Sequence, residues 1–164
     1  MNLTETEVFS IAFNRNVSNN LLKQSQIDSS YINWVYDWID GDFLSLVKEN
    51  EDGNYDEFIH NYIKPIWAWG VLYNNYNYIM LNITDKGVIQ LLVEGTANII
   101  GRDSRMDARF EIKENIYRLL RRLDIYCQEQ KNLNNSLFSS YNGLKLTPSL
   151  FKYKKKETIV TNPY

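Results

Sequence analysis

The chain has 164 residues, 44% of them apolar, and its 7 Phe, 4 Trp and 12 Tyr suffice for one hydrophobic core, which excludes a disordered polymer. A lone Cys127 excludes an intramolecular disulfide and any cysteine-rich zinc site, and a lone His60 leaves a histidine metal site or catalytic triad without partners. The net charge of −2 conceals a polarity: residues 1–101 hold 5 Lys/Arg against 13 Asp/Glu, residues 102–131 hold 8 against 6, and residues 132–164 hold 5 against 1.

Such a chain repels its like half and attracts the opposite half of a neighbour, and a head-to-tail ring needs two complementary surfaces of this kind on every subunit. An acidic body neutralised by its own basic helix fits the same numbers. The start Met1-Asn2-Leu3-Thr4-Glu5 lacks the basic and apolar regions of a signal peptide, and no apolar run approaches the ~20 residues of a membrane helix. A soluble, cytoplasmic protein is therefore expected, with no membrane partner. The Asn-X-Ser/Thr triplets at Asn2, Asn16, Asn82 and Asn134 then count as chance products of an Asn-rich composition.

The first helix is announced by Thr4-Glu5-Thr6-Glu7, a capping-box arrangement, followed by Val8, Ile11 and Ala12 at helical spacing. Asn14, Asn16, Asn19 and Asn20 predict a loop. A second helix is expected to be capped by Asp28 or the serines after it, with Ile32, Val35, Tyr36 and Ile39 on one face, Trp34 and Trp38 beside them, and Gly41 at its end. Phe43, Leu44 and Val47 predict a further short helix, closed by the polar run 49–54.

The stretch from Tyr55 to Leu81 is the longest apolar one and should form the centre of the core. Pro65 within it predicts a kink, giving one bent helix or two abutting ones, and Gly70 is expected to admit a neighbouring backbone. Thr84-Asp85-Lys86-Gly87 and the following Val88-Ile89-Gln90-Leu91-Leu92 predict a turn and a short extended element. A final helix from Asp103 or Ser104 to Gln130 has the stripe Phe110, Ile112, Ile116, Leu119, Leu120, Leu123 and Tyr126. The fold class is thus mainly α: a small bundle of four to five helices, a short extended element near 83–92, and a long extended C-terminal arm. The organisation is a helical body over 1–131 and an arm over 132–164, too poor in apolar residues to fold alone and ordered by a partner.

A search for chemistry yields no catalytic, cofactor-binding or metal-binding residues, and no enzyme or cofactor is expected. Asp52-Gly53-Asn54-Tyr55-Asp56 starts like a calcium loop but has Glu57 at the turn-glycine position and Ile63 where a bidentate Glu is required. Gly95 and Gly101 lack the Gly-Lys-Ser/Thr of a phosphate loop. Cys127 reads as a buried structural thiol and His60 as a helix-surface or interface residue. Two basic features remain, Arg118, Arg121 and Arg122 on the final helix and Lys152, Lys154, Lys155 and Lys156 in the arm. Together with Leu144, Leu146, Phe151 and Tyr153 they form the expected partner-binding set.

The order of parts resembles the small helical head-to-tail connector, or adaptor, proteins of tailed bacteriophages, closest to those of crAss-like phages of Bacteroidetes. The likeness rests on Thr4-Glu5-Thr6-Glu7 before Asp28-Ser29-Ser30, the long helix with Pro65 leading into Asn82-Ile83-Thr84-Asp85-Lys86-Gly87-Val88-Ile89, and the charged helix 103–131. It spans about residues 3–131 and leaves the arm unmatched. It implies a structural virion protein at the head–tail interface, a ring, dodecameric in the family, bound to the portal and to other connector or tail proteins. DNA would pass through the lumen as cargo. A generic helical interaction module, or a DNA-binding regulator using the basic helix and the lysine-rich arm, are the alternative readings.

Overall fold

A computed structural model describes residues 1–13, 21–49, 52–85 and 102–146. The chain enters helix α1 (Glu5–Phe13) through the capping box: Thr4 N–H donates to Glu7 Oε2 at 2.9 Å, and Glu7 N–H donates to Thr4 Oγ1 at 3.3 Å. Leu3 and Val8, at the staple positions on either side of the cap, are both fully buried. Glu5 Oε1 accepts the N–H groups of Leu21 and Leu22 at 2.6 and 2.9 Å, tying α1 to the chain that enters the next helix.

Helix α2 (Gln24–Tyr31) starts earlier than the sequence suggested. Gln26 Oε1 receives Lys23 N–H at 2.8 Å, whereas Asp28 lies inside the helix and accepts from Gln24 Nε2 at 2.9 Å. The helix widens into a π turn over Ile32–Tyr36. This turn inserts an extra residue and rotates the buried face, so the expected stripe is only half correct. Val35 and Ile39 are buried with Trp34 and Trp38, but Ile32 and Tyr36 are exposed. Gly41, expected to end this helix, instead begins α3 (Gly41–Lys48), whose cap is Asp40 Oδ1 accepting Asp42 N–H at 3.0 Å.

The short α4 (Asp56–Phe58), a second π turn over Ile59–Ile63 and α5 (Lys64–Asp85) make one uninterrupted helical run. Lys64 N–H bonds back to Ile59 O, one residue further than an α turn reaches. The wider turn directly precedes Pro65, whose ring would crowd the carbonyl four residues back in a regular helix. Gly70 does permit a close approach, but of a side chain: a Cβ there would lie 2.5–2.9 Å from Trp34 Cδ1, Cγ and Cβ. Residues 83–85, expected to be extended, form the end of α5, since no helix breaker precedes Gly87. The rest of the 83–92 element lies outside the described residues.

Helix α6 (Arg102–Asn132) completes the bundle and buries Ile112, Ile116, Leu120, Leu123 and Cys127 along one stripe. Helix α5 lies at the centre and packs against α1, α2 and α6. The protein is mainly helical, with no strand among the described residues and an isolated antiparallel bridge between Ile39 and Leu144.

Candidate interaction surface

Helix α6 has two different sides. Its inner stripe is core, while Arg118, Arg121 and Arg122 come together on the outer side, all exposed. No acidic residue lies between Glu114 and Asp124, so this stretch of the helix is purely basic. Asp124, the nearest acid in the C-terminal direction, accepts Tyr141 Oη–H at 2.7 Å and Gln128 Nε2–H at 3.2 Å. Ile125, 58% exposed, extends the same outer side. Exposed carboxylates flank this stretch on α6 itself, at Asp107, Glu111 and Glu129, and six more lie on the segment from Asp37 to Glu57, at Asp37, Asp42, Glu49, Asp52, Asp56 and Glu57.

The second expected surface is altered by the structure. Residues 133–146, assigned to the arm from the sequence, are packed on the body. A 3-10 turn over Ser136–Phe138 puts Phe138 among the rings of Phe43, Tyr55, Phe58 and Tyr126, at centroid distances of 5.4–6.0 Å. Tyr141 is 1% exposed, packs edge-on against Phe43, and donates to Asp124. Its carbonyl accepts Lys131 Nζ–H at 2.7 Å, and Tyr55 Oη–H donates to Leu137 O at 2.6 Å. Gly143, at φ +97°, then turns the chain so that Lys145 N–H reaches Trp38 O at 2.9 Å. Counting apolar residues missed this, because two well-placed rings anchor a segment that is otherwise polar. The spacing of Phe138 and Tyr141 within a turn-rich stretch was the available signal.

Of the proposed contact residues, Leu144 is half-buried in the bridge to Ile39 and Leu146 is exposed. Phe151, Lys152, Tyr153, Lys154, Lys155 and Lys156 lie outside the described residues. Lys145, which the sequence reading passed over, places Nζ over the Tyr36 ring, 4.5 Å from its centroid, and bonds Tyr36 O.

A cleft of about 400 Å³ opens between the N-terminus and the start of the central helical run, lined by Met1, Val47, Lys48, Asp56, His60 and Lys64 among others. Lys64 is ion-paired with Glu7. Burial works against the Glu7 carboxylate, but the bonds from Lys64 and Thr4 outweigh it and hold its pKa below the ordinary range. Burial pushes the Cys127 thiol far up, so it is not poised as a nucleophile. Among the described residues no group of His, Cys, Asp and Glu is arranged to hold a metal ion, and no helix is long and apolar enough to cross a membrane. No protein-family model, curated protein or solved structure matches the chain.

Proposed function

We propose that this chain is a structural subunit of a ring that joins the portal of a tailed phage to its tail, acting by protein–protein contact and not by catalysis. The observation that carries the reading is the separation of charge on the surface. A basic stretch of α6 faces outward at Arg118, Arg121 and Arg122, between the exposed Glu111 and Glu129, while the segment from Asp37 to Glu57 carries six exposed carboxylates. A subunit that binds its like through two different faces needs such a separation. The resemblance in the order of its parts supplies the particular setting, at the head–tail interface, with portal and tail proteins as neighbours and DNA as passing cargo.

The test is co-expression with the proteins encoded by the flanking genes, which this reading expects to include portal and tail proteins, followed by electron microscopy. A ring seated on the portal is expected. Arg118→Glu, Arg121→Glu and Arg122→Glu together should abolish it while circular dichroism of the monomer is unchanged. Failure to join either neighbour would overturn the reading. Tight, salt-sensitive DNA binding by the isolated protein would favour a DNA-binding regulator instead.

A further inference from the structure

We infer that the outer stripe of α6 docks on the outer stripe of α3 of a second copy of this chain. On α6, Arg118, Arg122 and Ile125 stand at i, i+4 and i+7 and are all exposed. On α3 and the residue that follows it, Asp42, Leu46 and Glu49 repeat that spacing and are also exposed, Leu46 by 45%. Glu49 N–H bonds Ser45 O at 2.9 Å, so it continues the helical turn. Each stripe is about 10 Å long at a rise of about 1.5 Å per residue.

The two stripes are chemical complements. One offers two guanidinium groups and an isoleucine, the other a leucine between two carboxylates. Face to face, Arg118 and Arg122 straddle Leu46, which packs on their methylene stems, and each reaches the acid on its own side, with Ile125 at the edge of the contact. Pairing either stripe with its own kind would oppose like charges. Glu129, one turn beyond Ile125, closes the basic stretch and limits how far α3 slides along α6.

Within one molecule the stripes are kept apart. Tyr141 stands between the two helices, its ring 5.2 Å from that of Phe43 on α3 and its hydroxyl bonded to Asp124 on α6. The contact is therefore made between copies. Because it joins two different surfaces, it propagates head to tail, closing as a ring or running on as a filament. It deepens the ring reading and rests on it for closure, yet it is measurable without any phage partner.

Leu46→Cys and Ile125→Cys, made separately in the full chain, test it with a short bis-maleimide. The native Cys127 is buried, so the new thiols are the ones that react. The mixture of the two variants should give a heterodimer roughly tenfold above either homodimer, and the double variant should give a ladder. In about 1 M salt, where the screening length falls to about 3 Å, the ladder should fade several-fold. Arg118→Glu with Arg122→Glu should abolish it, and Asp42→Arg with Glu49→Arg on the other copy should restore it. Statistical mixing of cross-links, or a ladder indifferent to charge reversal, overturns the contact. A ladder with charge rescue but no binding to portal or tail keeps this contact and sinks the phage reading. Assembly on a portal without the ladder does the opposite.

Discussion

The two flanks of the body are held by different balances of forces. Where α2 meets α5, ring packing of Tyr31 on Trp67 is joined by a set of directed hydrogen bonds. Trp67 Nε1–H reaches Ile27 O at 2.7 Å, Asn74 Nδ2–H reaches Ser30 Oγ at 3.0 Å, and Gln26 Nε2–H reaches Asn75 Oδ1 at 3.0 Å. On the opposite flank, Phe43, Tyr55, Phe58, Tyr62, Tyr126, Phe138 and Tyr141 form a cluster of rings with neighbouring centroids 4.4–6.2 Å apart. Directed bonds fix the register of two helices whose polar side chains must not be left unpaired. Rings accept several orientations and remove much apolar area from water, so they can capture a segment that has no helix of its own. The first flank specifies the bundle, and the second draws the chain after α6 into it.

The largest way to break this comparison is to cut the chain after Asn132. That removes Phe138 and Tyr141 from the ring cluster, and truncating one large aromatic residue costs about 3–5 kcal/mol. Two such losses rival a total stability of about 5–15 kcal/mol. The shortened protein should lose its near-ultraviolet dichroism and its cooperative melt, whereas a chain cut after Leu146 keeps every ring and is the control. A sharp native-like melt for the shorter chain would mean the rings from the tail add little.

Alkaline pH should loosen the ring flank next. Burial, and then the bond to Asp124, raise Tyr141 well above its ordinary 10.0, and burial followed by the charge of Asp124 raises Cys127 above 9.0. Tyr31, on the other flank, is pushed up to about 12 by burial alone. The folded state therefore holds protons that the unfolded chain releases, so stability is full below about pH 9 and falls as pH rises. Each group ionised only in the unfolded chain contributes a slope of at most about 1.4 kcal/mol per pH unit. Urea midpoints measured from about pH 8 to about pH 11 should show this decline. Cys127→Ala should delay its onset by about one unit and Tyr141→Phe should flatten it. A flat profile would show that neither group is shielded.

How much was legible in advance follows from the range of the interactions. The α1 cap was readable because Thr4 and Glu7 satisfy each other locally, and the inner stripe of α6 because a long helix repeats its burial every turn. The π turns over Ile32–Tyr36 and Ile59–Ile63 were not, since a period of 3.6 residues cannot announce the residue that breaks it. Pro65 was the one local hint. The role of Gly70 and the capture of Phe138 and Tyr141 depend on partners far along the chain, Trp34 and Phe43. The exposed arginines were legible as a cluster, but that Asp124 beside them is engaged by Tyr141 depended on a partner further along the chain.

Gly70→Ala sharpens the account of the hydrogen-bonded flank. Alanine is favoured over glycine in a helix by about 1 kcal/mol, but its methyl would sit inside the space of the Trp34 side chain. Overpacking of this kind costs about 1–3 kcal/mol, so a net loss of up to about 2 kcal/mol is expected by urea titration. A double-mutant cycle with Trp34→Ala should show strong coupling. An alanine variant more stable than the native chain would mean that α2 slides freely along α5.

The smallest expected effect distinguishes the two sides of one helix. Ile116 lies on the inner stripe of α6, wholly buried, and Ile116→Ala should cost about 2–5 kcal/mol through lost burial and the cavity left behind. Arg118 and Arg122 lie on the outer side of the same turns, exposed, within reach of the helix's own acids only by i, i+4 spacing. Such pairs are worth about 0.2–0.5 kcal/mol, so Arg118→Glu with Arg122→Glu should leave the monomer's urea midpoint nearly unchanged, within about 0.5 kcal/mol. Both variants alter one helix, over neighbouring turns, and differ only in what the side chains face. A loss above about 1 kcal/mol for the charge reversal would show that these arginines serve their own fold, because surface substitutions away from structural features stay below that value. A silent reversal, beside a costly Ile116→Ala, leaves the outer side of α6 without a task inside the molecule and available to a neighbour.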